Sequence, residues 1–192
     1  MFKAVIAFLK EGWVIFKDFK RIMKLTGGIH MIIQSKRVWI AGQFMPAQVK
    51  IEDKKIVDIY PYGTNAVDVD YDNDRILPGF IDIHTHLREP GFEHKETIST
   101  GSASALYGGY GTIVAMANTL PCMDDQETIK DFTKRCEKDA QVKTYTYSAI
   151  TEELKGQKVV DMEENIKQPI VLGFSDDGKG VQKDEKMEEA MT

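Results

Sequence analysis

Hydrophobic and polar positions along the chain fall into two regimes that meet near Pro78. Before it come short runs, Val38-Trp39-Ile40, Gln48-Val49-Lys50-Ile51 and Lys55-Ile56-Val57-Asp58-Ile59, punctuated by Gly42, Pro46, Asp53 and Pro61. Runs of this length between turn formers predict strands, and residues 31–77 are assigned to part of a small β-domain. Beyond Pro78 the period alternates between strand and helix. Strands are predicted at Phe80 to about His84, Thr112–Met116, Val142–Ser148 and Ile170–Phe174. Helices are predicted near Thr97–Tyr107, ended by Gly108-Gly109, then after an N-cap at Asp124 or Asp125, around Met162 and Ile166, and from about Lys183. Ile129, Phe132 and Cys136 share one face of the second helix, which places Cys136 in the core. Four βα units in succession predict an α/β fold with a parallel sheet over residues 78–192.

Residues 1–30 follow neither regime. They carry six Lys or Arg against Glu11 and Asp18, and Phe2, Ile6, Leu9, Trp13 and Phe16 recur at helical spacing. A basic amphipathic helix of this kind can anchor a chain at a membrane surface. The alternative is a start codon at Met31, since Gly27-Gly28 can be encoded by GGAGG, a bacterial ribosome-binding sequence, just upstream. The second reading is the expectation adopted. Asp68, Asp70, Asp72 and Asp74 alternate like a calcium loop, but Arg75 stands where such a loop needs Gly and no closing Glu follows, so a solvated acidic linker is expected.

Hydrophobic residues make up 42% and charged residues 29% of the 192, ordinary values for a globular protein. A net charge of −5 argues against nucleic acid as a partner, and no apolar run approaches membrane-spanning length. The two cysteines, Cys122 and Cys136, have neither finger nor disulfide-framework spacing, which points to a reducing cytoplasm, with Cys122 a packing residue. Gly108-Gly109-Tyr110-Gly111 lacks dinucleotide-binding spacing.

The candidate chemistry lies at strand ends. His84 and His86 are two apart, so on a strand they face the same side, and Arg88 follows. Two imidazoles beside a cation suit a divalent metal and an anionic substrate; the pair alone is equally compatible with polar residues closing a strand. Asn118 follows the second strand and Asp176-Asp177-Gly178 the fourth. In a parallel barrel such positions converge on one mouth.

Asp82-Ile83-His84-Thr85-His86-Leu87-Arg88-Glu89-Pro90-Gly91, Lys95-Glu96-Thr97, Gly108-Gly109, Asn118-Thr119-Leu120-Pro121 and Phe174-Ser175-Asp176-Asp177-Gly178 occur in this order. Together they resemble the dihydroorotases of the amidohydrolase superfamily, from about Met31 to Thr192. Arg88 separates that group from hydantoinases and allantoinases, which share the His pair. The resemblance implies the first half of a (β/α)8 TIM-like metal-dependent hydrolase barrel with part of a flanking β-sandwich domain. It implies that His84, His86 and Asp176 bind metal, with Asp176 preferred to Asp177 on the family's spacing. It further implies two Zn2+ per complete site, and Arg88 and Asn118 as holders of a substrate carboxylate. The reaction implied is reversible hydrolysis of L-dihydroorotate to N-carbamoyl-L-aspartate in pyrimidine synthesis, in a cytoplasmic enzyme that is a homo-oligomer when complete. The general acid/base Asp and further His ligands are expected beyond residue 192, because a full barrel needs roughly 250 residues. The rival readings are another cyclic amidase and a non-catalytic half-barrel subunit. His94 is expected to face solvent.

Overall fold

The computed structural model describes residues 30–53 and 55–192. The basic segment read over residues 1–30 therefore lies, apart from His30, outside the described residues. The chain divides into two compact units: one holds the described residues up to Ile81 with Leu106–Gly111, the other Asp82–Ala105 with Thr112–Thr192.

The first unit is built on β1 (His30–Ile40), β2 (Gln43–Glu52) and β3 (Lys55–Pro61), an antiparallel meander. Ala41 and Gly42, both at positive φ, form the tight turn between β1 and β2, the conformation that matches strand twist in a two-residue hairpin. Pairing sets Met31 opposite Ile51, Ile33 opposite Val49 and Ser35 opposite Ala47, and all six are buried. One face of the hairpin is thus a core, joined by Val38, Tyr71 and Ile76. On the other face Gln48 donates its side-chain amide to Gln34 Oε1 at 2.9 Å.

The acidic stretch expected to be a solvated linker is instead part of this sheet. Strands β4 (Val69–Asp70) and β5 (Arg75–Ile76) pair in parallel with β1. The Asp spacing of two copies the spacing of β1. Asp68 accepts from the Ile32 N–H at 2.8 Å, Asp70 from Gln34 Nε2 at 2.8 Å, and Asp72 from Lys36 Nζ at 2.6 Å. Each pair is 36 residues apart. The Asp72 N–H and the Gln34 amide hold the Asp70 carboxyl below its ordinary range, and Lys36 does the same to Asp72. The alternation that mimics a calcium loop is a strand-edge ladder, because the carboxylates of Asp68, Asp70 and Asp72 each find a donor at matching register.

The second regime is a four-stranded sheet in the order β6 (Phe80–Thr85), β7 (Tyr110–Ala115), β8 (Lys143–Ser148), β9 (Val171–Phe174). β7 with β8 and β8 with β9 run parallel. Bonds from Phe80 N to Gly109 O and from Met116 N to Thr85 O advance the same way along β6 and β7, so that pair is parallel too. Helix α1 (Ile98–Tyr107) joins β6 to β7 and α2 (Gln126–Asp139) joins β7 to β8. A 3-10 turn at Glu152–Leu154 and the single-turn α3 (Met162–Asn165) join β8 to β9, and α4 (Asp184–Met191) follows β9. This is the predicted βα alternation.

Asp125, not Asp124, caps α2, its carboxylate accepting from the Glu127 and Thr128 N–H groups at 2.7 and 2.9 Å. Ile129, Phe132 and Cys136 are buried on one face of α2, as the periodicity predicted. Burial pushes the Cys136 thiol up to about 12. The helix expected around Met162 and Ile166 is present as the single turn α3. Ile166 is 45% exposed, and the buried residue is Asn165, whose amide donates to Asp124 O and Ser148 Oγ. A polar anchor fixes that turn, so no apolar helical face was needed there. Among the described residues no helix is long and apolar enough to cross a membrane.

Candidate metal centre

β6 brings the two imidazoles together. His84 lies in the strand and His86 just past it, while Thr85 between them turns the other way and donates to Val114 O at 2.9 Å. That bond ties the strand end to β7. The His84 and His86 ring centroids are 5.3 Å apart with the planes at 69°. Beyond β9 the chain turns back, and Asp177 faces the pair: Oδ1 is 3.4 Å from His84 Nε2 and Oδ2 is 3.6 Å from His86 Nε2. One donor atom from each of the three residues lies within 4.8 Å of the others.

Ligands of a tetrahedral zinc with bonds of roughly 2.0–2.1 Å stand about 3.3–3.4 Å apart. The two nitrogen–oxygen spacings, one to each carboxylate oxygen, are near that length, and the donor set of two imidazoles and a carboxylate is one zinc accepts. These residues fit a divalent ion.

Asn118 completes the cluster. Its Nδ2 donates to Asp177 Oδ2 at 3.2 Å, and its Oδ1 lies 3.2 Å from His86 Nδ1. The carboxylate can only accept, so the amide nitrogen must face it and the amide oxygen must face His86. With Nδ1 donating to Asn118 Oδ1, His86 would offer Nε2 to a metal held beside Asp177. A hydrogen bond on one ring nitrogen selecting the other as ligand is a recurrent feature of metal sites.

The structure does not bring Asp176 to the His pair. Asp176 is 4% exposed and turns inward, accepting from Ile150 N at 2.7 Å, Thr151 N at 3.1 Å and the Thr151 hydroxyl. Buried peptide N–H groups require an acceptor, and Asp176 is theirs. Its neighbour, pointing the opposite way, takes the position by the imidazoles that was expected for Asp176. Nothing in an Asp-Asp pair distinguishes the two by residue type, so spacing alone had to choose.

Arg88 sits at φ +63°, half-buried, in the loop after His86. That loop is held by Glu89, which accepts from the Ile98 N–H at the start of α1 at 2.8 Å and from Arg135 Nη1 at 3.2 Å. The same loop meets the one carrying Asn118. Leu120 N donates to Pro90 O at 3.0 Å, and a Cβ on Gly91 would stand 2.1 Å from Leu120 O. Arg88 and Asn118 are thus on two loops in backbone contact, a juxtaposition for which only the glycine of Arg-Glu-Pro-Gly offered a sequence signal. Glu89 and Thr151 gave none. Cys122 is buried, donates to Ala117 O, and has its thiol pushed up to about 12 by burial, as befits a packing residue. His94 is exposed.

A parallel βα sheet that carries a His-x-His strand end and a carboxylate after a later strand has the architecture of part of a metal-dependent hydrolase barrel. Among solved structures the chain is similar to the L-hydantoinase (dihydropyrimidinase) from Arthrobacter aurescens, with a TM-score of 0.67 over 83% of this chain and 37% of that one at 19% identity. It also resembles a dihydroorotase structure with a TM-score of 0.50 over 76% of this chain and 41% of that one, at 10% identity. These likenesses speak for the fold.

Sequence carries the family. Residues 74–192 match the model of the family described as Dihydro-orotase-like, and the chain belongs to that family. It is 39% identical to a dihydroorotase of Ligilactobacillus salivarius over 83% of this chain and 38% of that protein. It is 41% identical to a dihydroorotase of Bacillus cereus over 78% of this chain and 35% of that protein. The chain thus spans little more than a third of the length of these relatives.

Proposed function

We propose that this chain provides the His-x-His, carboxylate and arginine portion of a zinc-dependent dihydroorotase site, which in a protein of the relatives' length interconverts L-dihydroorotate and N-carbamoyl-L-aspartate in pyrimidine synthesis. The observation that carries this is the convergence of His84, His86 and Asp177, with Asn118 bridging the last two. A divalent ion there would polarise the amide carbonyl and lower the pKa of water beside it. His84, His86 and Asp177 would hold that ion. Asn118 holds His86 in the tautomer that can ligate.

Both partners of the reaction carry a carboxylate beyond the bond that is made or broken. Arg88 can fork two hydrogen bonds onto it. Asn118 keeps a second amide hydrogen after donating to Asp177, and that hydrogen is available to the same carboxylate. The contact between the loops of Arg88 and Asn118 keeps these donors in register with the metal ligands. Identities of 39% and 41% to proteins named dihydroorotase support this substrate. Two buried free thiols suit a cytoplasmic location.

Equilibrium dialysis of the full chain against zinc, followed by titration with N-carbamoyl-L-aspartate, tests the reading. Zinc retention lost in Asp177→Ala, with ligand binding lost in Arg88→Lys while zinc stays, is the expected pattern. A chain that takes up no zinc, or that binds hydantoin and not N-carbamoyl-L-aspartate, would overturn it.

A further inference from the structure

We infer that Asp176 is a positioning residue for the metal centre: its buried carboxylate clamps the loop after β8 to the turn after β9 and thereby aims Asp177 at the two histidines. This rests on the reading of His84, His86 and Asp177 as metal ligands.

The clamp is complete on both sides of the residue. Side-chain oxygen Oδ1 accepts from Ile150 N and Thr151 N, and Oδ2 accepts from the Thr151 hydroxyl. Thr151 is itself fully buried, and its hydroxyl accepts from Gly156 N at 2.9 Å, so that it can donate only toward Asp176. From the main chain, Asp176 O accepts from Lys179 N at 3.0 Å and Gly180 N at 2.8 Å, closing the turn that contains Asp177. Just before it, Ser175 N donates to Ser148 O at 2.9 Å, continuing the β8–β9 pairing.

Among the described residues the Asp177 side chain, 23% exposed, has its polar contacts within the cluster: two imidazole nitrogens beyond 3.3 Å and one Asn118 hydrogen bond at 3.2 Å. Its direction is therefore set by the peptide it shares with Asp176. If the bonds to Ile150 and Thr151 are lost, only the main-chain bonds of the turn hold Asp176, and the Asp177 carboxylate is aimed less closely at the histidines. Groups that hold a ligand typically change metal affinity by roughly 10–100-fold when removed.

The test compares four variants of the full chain, with zinc affinity measured by competition against a chromophoric chelator and geometry read from the visible spectrum of bound Co2+. Asp176→Asn replaces one acceptor oxygen by a donor, and Thr151→Val removes the hydroxyl at nearly constant volume. Both are expected to weaken zinc by roughly 10–100-fold and alter the Co2+ spectrum. Thr151→Ser keeps the hydroxyl and should stay near wild type. In metal-free protein, amide exchange at Ile150 and Thr151 should accelerate in the first two variants alone. Wild-type zinc affinity and spectrum in folded Asp176→Asn or Thr151→Val, even with a lowered melting temperature, would make the role one of stability only and overturn the inference. Zinc binding that survives Asp177→Ala would overturn the metal-centre reading, and the inference with it.

Discussion

His86 Nδ1 and Asn118 Oδ1 face each other at 3.2 Å, and the same amide gives its nitrogen to Asp177. One neutral side chain therefore fixes a tautomer and a carboxylate orientation together. Asn118→Leu, similar in volume and unable to do either, is expected to weaken zinc binding by about 10–100-fold with little change in unfolding midpoint. Asn118→Asp should retain part of the affinity, because its carboxylate still accepts from His86 Nδ1 although it repels Asp177. Chelator competition on both variants checks the order.

Gly91 is at φ +96°, and a Cβ there would stand 2.1 Å from Leu120 O and 2.6 Å from Leu120 Cβ. Backbone cannot yield as a flexible side chain would. Gly91→Ala should destabilise the chain by about 1–3 kcal/mol and separate the loops of Arg88 and Asn118. Urea unfolding reads the first effect. The second should appear as weaker N-carbamoyl-L-aspartate binding in protein that remains folded.

Cys122 and Cys136 both have thiols raised by burial from 9.0 to about 12. A folded state that resists losing these protons holds more of them than the unfolded state between those values. Stability must then fall as pH rises from about 9 toward 12, and be unaffected by these groups below 9. Cys136→Ala should flatten part of that slope, at the cost of a small cavity beneath α2. Melting temperatures across pH 8–11 in wild type and variant test this, and neither thiol should react readily with a disulfide reagent at neutral pH in the native state.

Asp125 satisfies two N–H groups at the start of α2 through one oxygen, while its other oxygen accepts from the Thr128 hydroxyl. Asp125→Ala should cost about 1 kcal/mol. Asp124→Ala removes an acceptor from Glu153 N and not from α2, and should leave the helix start protected from amide exchange. A helix start that frays in Asp124→Ala and not in Asp125→Ala would contradict the assignment of the cap.

Local pattern carried the βα alternation, the buried face of α2 at Ile129, Phe132 and Cys136, and the pairing of His84 with His86 on one side of a strand end. These follow from periods of 2 and 3.6, which depend on backbone geometry alone. The resemblance carried by the motifs supplied the family. Where pattern was read without partners it went astray: the aspartates of residues 68–74 imitate a loop or a linker until β1 supplies donors at the same spacing.

The choice between Asp176 and Asp177 belonged entirely to the tertiary structure. Two adjacent carboxylates have the same chemistry, and which of them turns inward depends on where unsatisfied N–H groups lie. Those groups, at Ile150 and Thr151, are 25 residues or more away in sequence and arrive only when β8 and β9 pair. The tautomer of His86 and the contact of Gly91 with Leu120 are likewise products of chain segments about 30 residues apart meeting in space. A sequence by itself determines which side chains a strand end offers; the partners that orient them exist only after the sheet has formed.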